Sequence, residues 1–304
     1  MAKTFDVAVI GAGPGGYTAA IRAAQLGLNT VCIDDWKNAK GKASLGGTCL
    51  NVGCIPSKAL LESSENYERA LHKFGDHGIT VGQVAIDVAK MLARKDKIVD
   101  TFTGGIGLLF RKNKVVSMHG HARFIGKAAG YQIEVRDGDS AETIEAKHVI
   151  IATGSNARQL PFAPVDSDRI VDNVGALSLT EIPKRLGVIG AGVIGLEMGS
   201  VWKRLGSEVI VLEALPGFLP AADEQVAKEA FRIFTKVVGL DIRLGVKISA
   251  VKNAKKSVTV EYTDAVGEQK AEFDRLIVAV GRVPNSADLG AQAIGLKLDA
   301  RGFV

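Results

Sequence analysis

Two glycine-rich turns of one design, each set between a strand-like run and a helix-like run, restrict this chain more than any other feature. The first, Gly11-Ala12-Gly13-Pro14-Gly15-Gly16, follows the β-prone run Phe5–Ile10 and opens an Ala-rich helical stretch, Tyr17–Leu26, which Gly27 stops. The second, Gly190-Ala191-Gly192-Val193-Ile194-Gly195, follows Leu186–Ile189 and opens a helical stretch that reaches Leu205-Gly206. In both cases a further strand-like run then delivers an acid at the same distance past the first glycine. Thr30–Ile33 leads to Asp34, and Glu208–Leu212 leads to Glu213. One such turn is a weak signal, but two copies with matched acids read as two dinucleotide sites. Gly11 and Gly190 make the tight turn, Gly13 and Gly192 let a pyrophosphate approach the backbone, and Gly16 and Gly195 let helix pack on strand. The unpaired N–H groups that start each helix then face the phosphates.

Composition narrows the remaining possibilities. A chain of 304 residues with 47% hydrophobic and 23% charged residues is ordinary globular material, long enough for two or three domains. Its net charge of +5 is spread out, and short basic runs such as Arg111-Lys112-Asn113-Lys114 read as a solvated helix end, so no nucleic-acid partner is expected. Met1-Ala2-Lys3-Thr4-Phe5-Asp6 lacks a cationic and apolar leader, and no run of about 18 apolar residues occurs, which predicts a soluble, cytoplasmic protein without a membrane partner. Three cysteines do not make a secreted disulfide scaffold. The five histidines, His119 and His121 among them, read as ordinary surface or core residues, and no metal site is expected.

Between the two turns, Leu71–Asp100 reads as helical with turns at Gly75 and Gly78, and Lys90–Phe110 as one long helix loosened at Gly104-Gly105. Val115–Phe124, Tyr131–Val135 and His148–Ala152 read as strands, and Asn156–Asp172, with Pro161 and Pro164, as an interdomain crossing. After the second turn, Asp223–Val237 is predicted helical and Asp241–Val246, Ser257–Thr263 and Arg275–Val280 are predicted strands.

Cys49 and Cys54 lie in Gly46-Gly47-Thr48-Cys49-Leu50-Asn51-Val52-Gly53-Cys54-Ile55-Pro56-Ser57-Lys58, without the spacing of a zinc knuckle. Five residues of regular helix rise about 7.5 Å, beyond the roughly 7 Å Cα separation a disulfide tolerates. A bridge therefore needs a bent backbone, which Asn51 and Gly53 can supply. So small a loop would contribute only about 2 kcal/mol by constraining the unfolded chain. A reducible dithiol beside a cofactor is one reading of the pair, and two unpaired buried thiols the other. Cys32, inside an apolar strand, reads as a core residue.

That cysteine segment, together with Gly11–Gly16, Ala152-Thr153-Gly154, Gly190–Glu197 and Val280-Gly281-Arg282-Val283-Pro284-Asn285, resembles the class I FAD-dependent pyridine nucleotide–disulfide oxidoreductases over essentially the whole chain. The resemblance implies an α/β fold of two Rossmann-like three-layer (ββα) domains, one for FAD and one for NAD(P)H. It assigns residues 1–155 to the FAD domain with its redox dithiol, 156–181 to the crossing, 182–282 to the NAD domain and 283–304 to the start of a return into the first domain. By position, the cofactor-binding residues are Gly11, Gly13, Pro14, Gly15, Gly16, Asp34, Gly47, Thr48, Lys58, Ala152, Thr153, Gly154, Gly190, Gly192, Val193, Ile194, Gly195, Glu197, Glu213, Gly281 and Arg282. The implied catalytic set is Cys49, whose thiolate exchanges with substrate sulfurs; Cys54, which lies against the flavin; and the Lys58–Glu197 ion pair beside it. The family more often carries Glu where Asp34 stands, and Asp35–Lys42 is a longer insertion than many members have.

Within the family the match is to enzymes that oxidise protein-bound dihydrolipoamide with NAD⁺. This implies lipoyl domains of 2-oxo acid dehydrogenase complexes, or the glycine cleavage H protein, as partners, and a homodimer at full length. Another disulfide reductase, of the glutathione or mercuric reductase kind, and a non-catalytic dinucleotide-binding fragment are the alternatives. Family members run well beyond this length into a C-terminal interface domain that supplies a His–Glu pair, whereas the chain stops at Val304. The expectation is an N-terminal portion of a longer enzyme, without that interface domain, that turns over dihydrolipoamide poorly on its own. Glu213 can accept bonds from a 2′-hydroxyl but repels a 2′-phosphate, and Ala214-Leu215-Pro216-Gly217-Phe218 contains no arginine, which favours NAD over NADP. Replacing Glu213 by alanine and adding an arginine downstream is expected to raise NADP affinity relative to NAD in titrations.

Overall fold

A computed structural model describes residues 3–304; Met1 and Ala2, which open the N-terminal segment read above, lie outside the described residues. The described residues form two compact units, one of residues 3–55, Lys97–Asn156 and Arg282–Val304, the other of Pro56–Asp96 and Ala157–Gly281.

The first unit is built on β1 (Lys3–Ile10), α1 (Pro14–Gln25) and β2 (Thr30–Asp34), the strand–turn–helix–strand of the first glycine turn. β1 pairs in parallel with β2 on one side. Its apolar residues are continuous because both faces are covered. On one face Val7, Val9 and Cys32 meet Ala20 and Ala23 of α1. Along the chain follow α2 (Gly47–Val52), α3 (Cys54–His72), which lies in the second unit from Pro56 onward, and α4 (Val88–Lys112), which lies in the first from Lys97 onward. Leu50, Ile106 and Phe110, all of the first unit, join that same core.

Four strands complete the unit: β3 (Val116–His119), β4 (His121–Lys127), β5 (Tyr131–Asp137) and β6 (Ser140–Ile151), in the sheet order β3-β2-β1-β6-β5-β4. β6 is long enough to serve two partners. Ile144–Ile151 runs parallel to β1, while Ser140–Ala146 runs antiparallel to β5. The antiparallel meander thereby faces the parallel strands, with Phe5, Ile10 and Ile33 packed on Phe124, Ile133 and Ile144 between them. Helices, parallel strands and meander are the three layers expected.

Two of the predicted elements are corrected. Val115–Phe124 is not one strand, because Gly120 adopts φ +147° and divides it into β3 and β4. Leu71–Asp100 has the expected turn at Gly78, but the stretch that follows it, residues 79–87, is not helical. α3 stops at His72, a short 3-10 turn ends at Gly78 with φ +72°, and no helix resumes before α4. Asp87 starts α4 by accepting from the Lys90 N–H at 3.0 Å through its side chain. Gly104 and Gly105 lie inside α4 without breaking it.

After the short strand β7 (Ser155–Ala157), a parallel sheet in the second unit is formed by β8 (Ile170–Val171), which the one-turn helix α5 (Asn173–Ala176) follows, β9 (Arg185–Ile189), β10 (Glu208–Leu212), β11 (Asp241–Arg243) and β15 (Arg275–Val278), ordered β11-β10-β9-β15-β8. α6 (Val193–Arg204) follows the second glycine turn, and it buries Met198, Val201 and Trp202. The meander β12 (Lys247–Asn253), β13 (Val258–Asp264) and β14 (Gly267–Phe273) supplies Val258, Val260 and Tyr262 to a core with Ile189, Leu212 and Val278. The same layering is therefore built twice. Among the described residues no helix is long and apolar enough to cross a membrane.

Candidate functional site

The two glycine turns fold alike down to individual atoms. Gly11 has φ +100° and Gly190 φ +105°, a region that disfavours side chains. A Cβ on Gly11 would stand 2.2 Å from the Ala152 carbonyl oxygen, and one on Gly190 would stand 2.4 Å from that of Ala279. Ala152 thus acts through its backbone, as the wall of the turn. A Cβ on Gly16 or Gly195 would fall within 1.7 Å or 2.1 Å of the first glycine's carbonyl oxygen, so helix and strand touch there. By contrast, a Cβ on Gly192 would meet nothing within 4 Å, and one on Gly13 only the Gly47 Cα at 3.8 Å. That open backbone, at the unscreened starts of α1 and α6 where no side chain caps the helix, suits a pyrophosphate. Pro14 occupies the first turn of α1, where its missing N–H costs nothing.

The two acids have a second task that spacing alone does not reveal. Asp34 accepts from the Ala12 N–H at 2.6 Å with one oxygen and from the Trp36 N–H at 2.9 Å with the other. Glu213 repeats this with the N–H groups of Ala191 at 2.7 Å and Leu215 at 2.8 Å. Each carboxylate therefore clamps its own glycine turn and keeps further lone pairs able to accept other donors. Burial pushes the Asp34 carboxyl above the ordinary carboxylate range, against the pull of these two amides and with a further push from Asp35. Burial, helped by Asp34, also drives the Cys32 thiol up to about 12, leaving it a core residue without thiolate chemistry.

Around Asp34 a cavity of about 60 Å³ is lined by Gly11, Gly120, His121, Thr153 and Asn285 among others. His121 Nδ1 lies 3.0 Å from Asp35, and Lys37 pairs with Asp137 at 3.2 Å, so the Asp35–Lys42 insertion is tied to the meander. Around Glu213 a mainly apolar cleft of about 840 Å³ includes Gly190, Gly192, Val193, Ile194 and Gly281, large enough for a dinucleotide.

The cysteine segment is mounted on the first turn. Gly46 donates its N–H to the Ala12 carbonyl at 2.9 Å. Gly47, at φ +57°, packs so closely that a Cβ would stand 2.6 Å from the Gly13 Cα. Cys49 is half-buried within α2, and Cys54 is exposed at the first position of α3. Between them Gly53 leaves helical geometry with φ −141° and ψ −117°, the bend the spacing requires. Asn51 stays helical instead, its side-chain amide donating to the carbonyls of Leu45 and Gly47 at 3.2 and 2.9 Å. Arg282 donates to Ser155 Oγ at 2.7 Å and reaches Thr48 Oγ1 at 3.4 Å, and the Asn285 N–H binds the Gly154 carbonyl at 3.0 Å. Gly15 has open space around it.

In the second unit Lys58 Nζ donates to Glu197 at 2.6 Å. Ser57, a buried residue that the sequence reading passed over, donates to the other carboxylate oxygen of Glu197. Its type carries no signal; only its place between Pro56 and Lys58 does. Lys58 lies one helical turn beyond Cys54 along α3.

Comparison with known proteins accords with this architecture. Residues 5–304 match the pyridine nucleotide-disulphide oxidoreductase family. The chain is 61% identical to dihydrolipoyl dehydrogenase of Cupriavidus necator, over 100% of this chain and 64% of that protein. It is 46% identical to the mitochondrial dihydrolipoyl dehydrogenase of Pisum sativum, over 98% of this chain and 58% of that protein. Among solved structures, LpdA of Mycobacterium tuberculosis superposes with a TM-score of 0.86 at 25% identity, covering 99% of this chain and 63% of its own. The HOCl-induced flavoprotein disulfide reductase RclA of Escherichia coli gives 0.81 at 26%, covering 99% and 62%. The chain thus spans less than two thirds of the length of these relatives.

Proposed function

Since this chain belongs to the pyridine nucleotide-disulphide oxidoreductase family, we propose that it carries the dithiol and both cofactor sites of a dihydrolipoyl dehydrogenase. In this reading FAD is held by the first glycine turn and Asp34, NAD by the second turn and Glu213. The observation that carries it is the mounting of the Cys49–Cys54 segment on the first dinucleotide turn, through the Gly46–Ala12 hydrogen bond and the Gly47–Gly13 contact. A dithiol placed there is placed for redox work, not for holding the fold.

The chemistry of the chain's own residues balances. Starting from the pair in its disulfide form, a thiolate of the substrate dithiol attacks Cys49 Sγ, the Cys49–Cys54 bond breaks, and Cys54 leaves as thiolate. The second substrate sulfur then attacks the mixed disulfide, releasing Cys49 and closing the substrate's own disulfide. Two electrons have moved from substrate to the cysteine pair. FAD, when bound, supplies two-electron acceptance from a dithiol and hydride donation to NAD⁺. Lys58, held by Glu197, contributes a fixed positive charge. The substrates are lipoyl groups carried by 2-oxo acid dehydrogenase complexes or by the glycine cleavage H protein, and the full-length protein acts as a homodimer.

The test is anaerobic titration of the FAD-loaded protein followed by absorbance. Dihydrolipoamide is expected to reduce the flavin with a long-wavelength charge-transfer band, while glutathione does so at least about tenfold more slowly. Equal response to glutathione points to another disulfide reductase, and a protein that binds NADH but no flavin overturns the proposal.

A further inference from the structure

We propose that Lys247 makes the second cleft a latent site for a 2′-phosphate, so that choice of NAD over NADP rests on the Glu213 carboxylate alone. The inference rests on reading that cleft as the nicotinamide dinucleotide site.

The turn between β11 and β12 is stitched alongside Glu213. Glu213 donates its N–H to the Arg243 carbonyl at 2.8 Å, Val246 donates to the Glu213 carbonyl at 2.9 Å, and Gly245 donates to the Leu215 carbonyl at 3.0 Å. Lys247 is the next residue, and it lines the same cleft as Glu213. Its ammonium is carried on a long flexible stem. Lys247 is exposed, and Glu213 is engaged by the N–H groups of Ala191 and Leu215.

The other cation on this turn is unavailable. Arg243 is bound by Asp241 at 2.7 Å and 3.1 Å and donates to the Tyr262 hydroxyl. Lys247 is therefore the cation of the cleft that can serve a ligand. A phosphate ester on the 2′-oxygen would meet it with a charge-assisted bond, and the Glu213 carboxylate opposes this by like-charge repulsion. Removing that one negative charge leaves a cationic pocket, with no added arginine needed.

The experiment titrates the purified chain with NADH and NADPH, read by nicotinamide fluorescence, for the native sequence, Glu213→Gln, Glu213→Ala, Lys247→Gln and Glu213→Gln/Lys247→Gln. Each variant is checked for folding by circular dichroism. Both Glu213 variants are expected to bind NADPH about tenfold more tightly than the native chain. Glu213→Ala also releases the Ala191 and Leu215 N–H groups that Glu213 clamps, so Glu213→Gln, which keeps an acceptor oxygen, is the variant that isolates the charge. Adding Lys247→Gln is expected to cancel the gain to within about twofold, and Lys247→Gln alone to weaken NADPH about threefold. A double variant that keeps the tenfold gain overturns the role of Lys247. Failure of the native chain to bind NADH overturns instead the assignment of the cleft, and the inference with it.

Discussion

Gly16→Ala, whose added Cβ meets the shortest contact of any glycine in the chain, is expected to cost about 3 kcal/mol or more in a urea melt and to abolish flavin retention. The added Cβ would lie 1.7 Å from the Gly11 carbonyl oxygen, 2.8 Å from its carbon and 3.4 Å from the Ala152 Cβ. Ordinary contact would require α1 to retreat from β1 by well over an ångström. The turn cannot yield in the other direction, because Gly11 is itself fixed at φ +100° against the Ala152 carbonyl. Gly195→Ala repeats the problem in the second unit, at 2.1 Å from the Gly190 oxygen. The internal control is Gly104→Ala or Gly105→Ala in α4, where an added Cβ meets nothing within 4 Å. Those changes are expected to stabilise by about 0.5–1 kcal/mol through helix propensity and a less flexible unfolded chain. A Gly16→Ala protein within about 1 kcal/mol of the native one would mean that helix and strand are not in contact at this turn.

The same glycines explain how much of the fold was legible beforehand. A left-handed turn walled by a carbonyl, with a helix touching a strand, admits almost no other residue, so sequence reports it directly. The bend at Gly53 was legible for a related reason, since a regular helix keeps two cysteines five residues apart too distant to bridge. Gly120 carried the same kind of signal, yet the surrounding strand-like patterning ran straight across it, and helix-like patterning likewise covered residues 79–87, beyond the turn expected at Gly78, where no helix forms. Pattern reports which face is apolar; it does not report where a single left-handed residue turns the chain. The Lys58–Glu197 pair joins residues 139 apart and was visible only through the resemblance. The clamp of Asp34 and Glu213 on their own turns was not visible at all, because a carboxylate that binds a ribose and one that binds two amides have the same residue type and spacing.

Serine at either Cys49 or Cys54 is expected to reduce dihydrolipoamide-driven flavin reduction by more than about a thousandfold, because a hydroxyl is neither a competent nucleophile nor a leaving group in disulfide exchange. The two variants are expected to fail at different steps. Cys54→Ser retains the half-buried Cys49 of α2, whose single sulfur can still capture one substrate sulfur from an activated lipoyl disulfide. With no second cysteine to resolve it, that mixed disulfide accumulates and is seen as a stable mass increase on the Cys49 peptide. Cys49→Ser retains only Cys54, at the first position of α3 where first-turn N–H groups lack intrahelical partners. That environment suits a sulfur that departs with negative charge, and in the proposed mechanism this sulfur faces the flavin, so no lipoyl adduct is expected once FAD is loaded. An adduct on Cys54 in the FAD-loaded Cys49→Ser protein, with none on Cys49 in the other variant, would reverse the two roles. Because Cys54 is the more exposed sulfur of the pair, exposure alone predicts that reversed outcome, and the experiment therefore separates accessibility from the assigned chemistry.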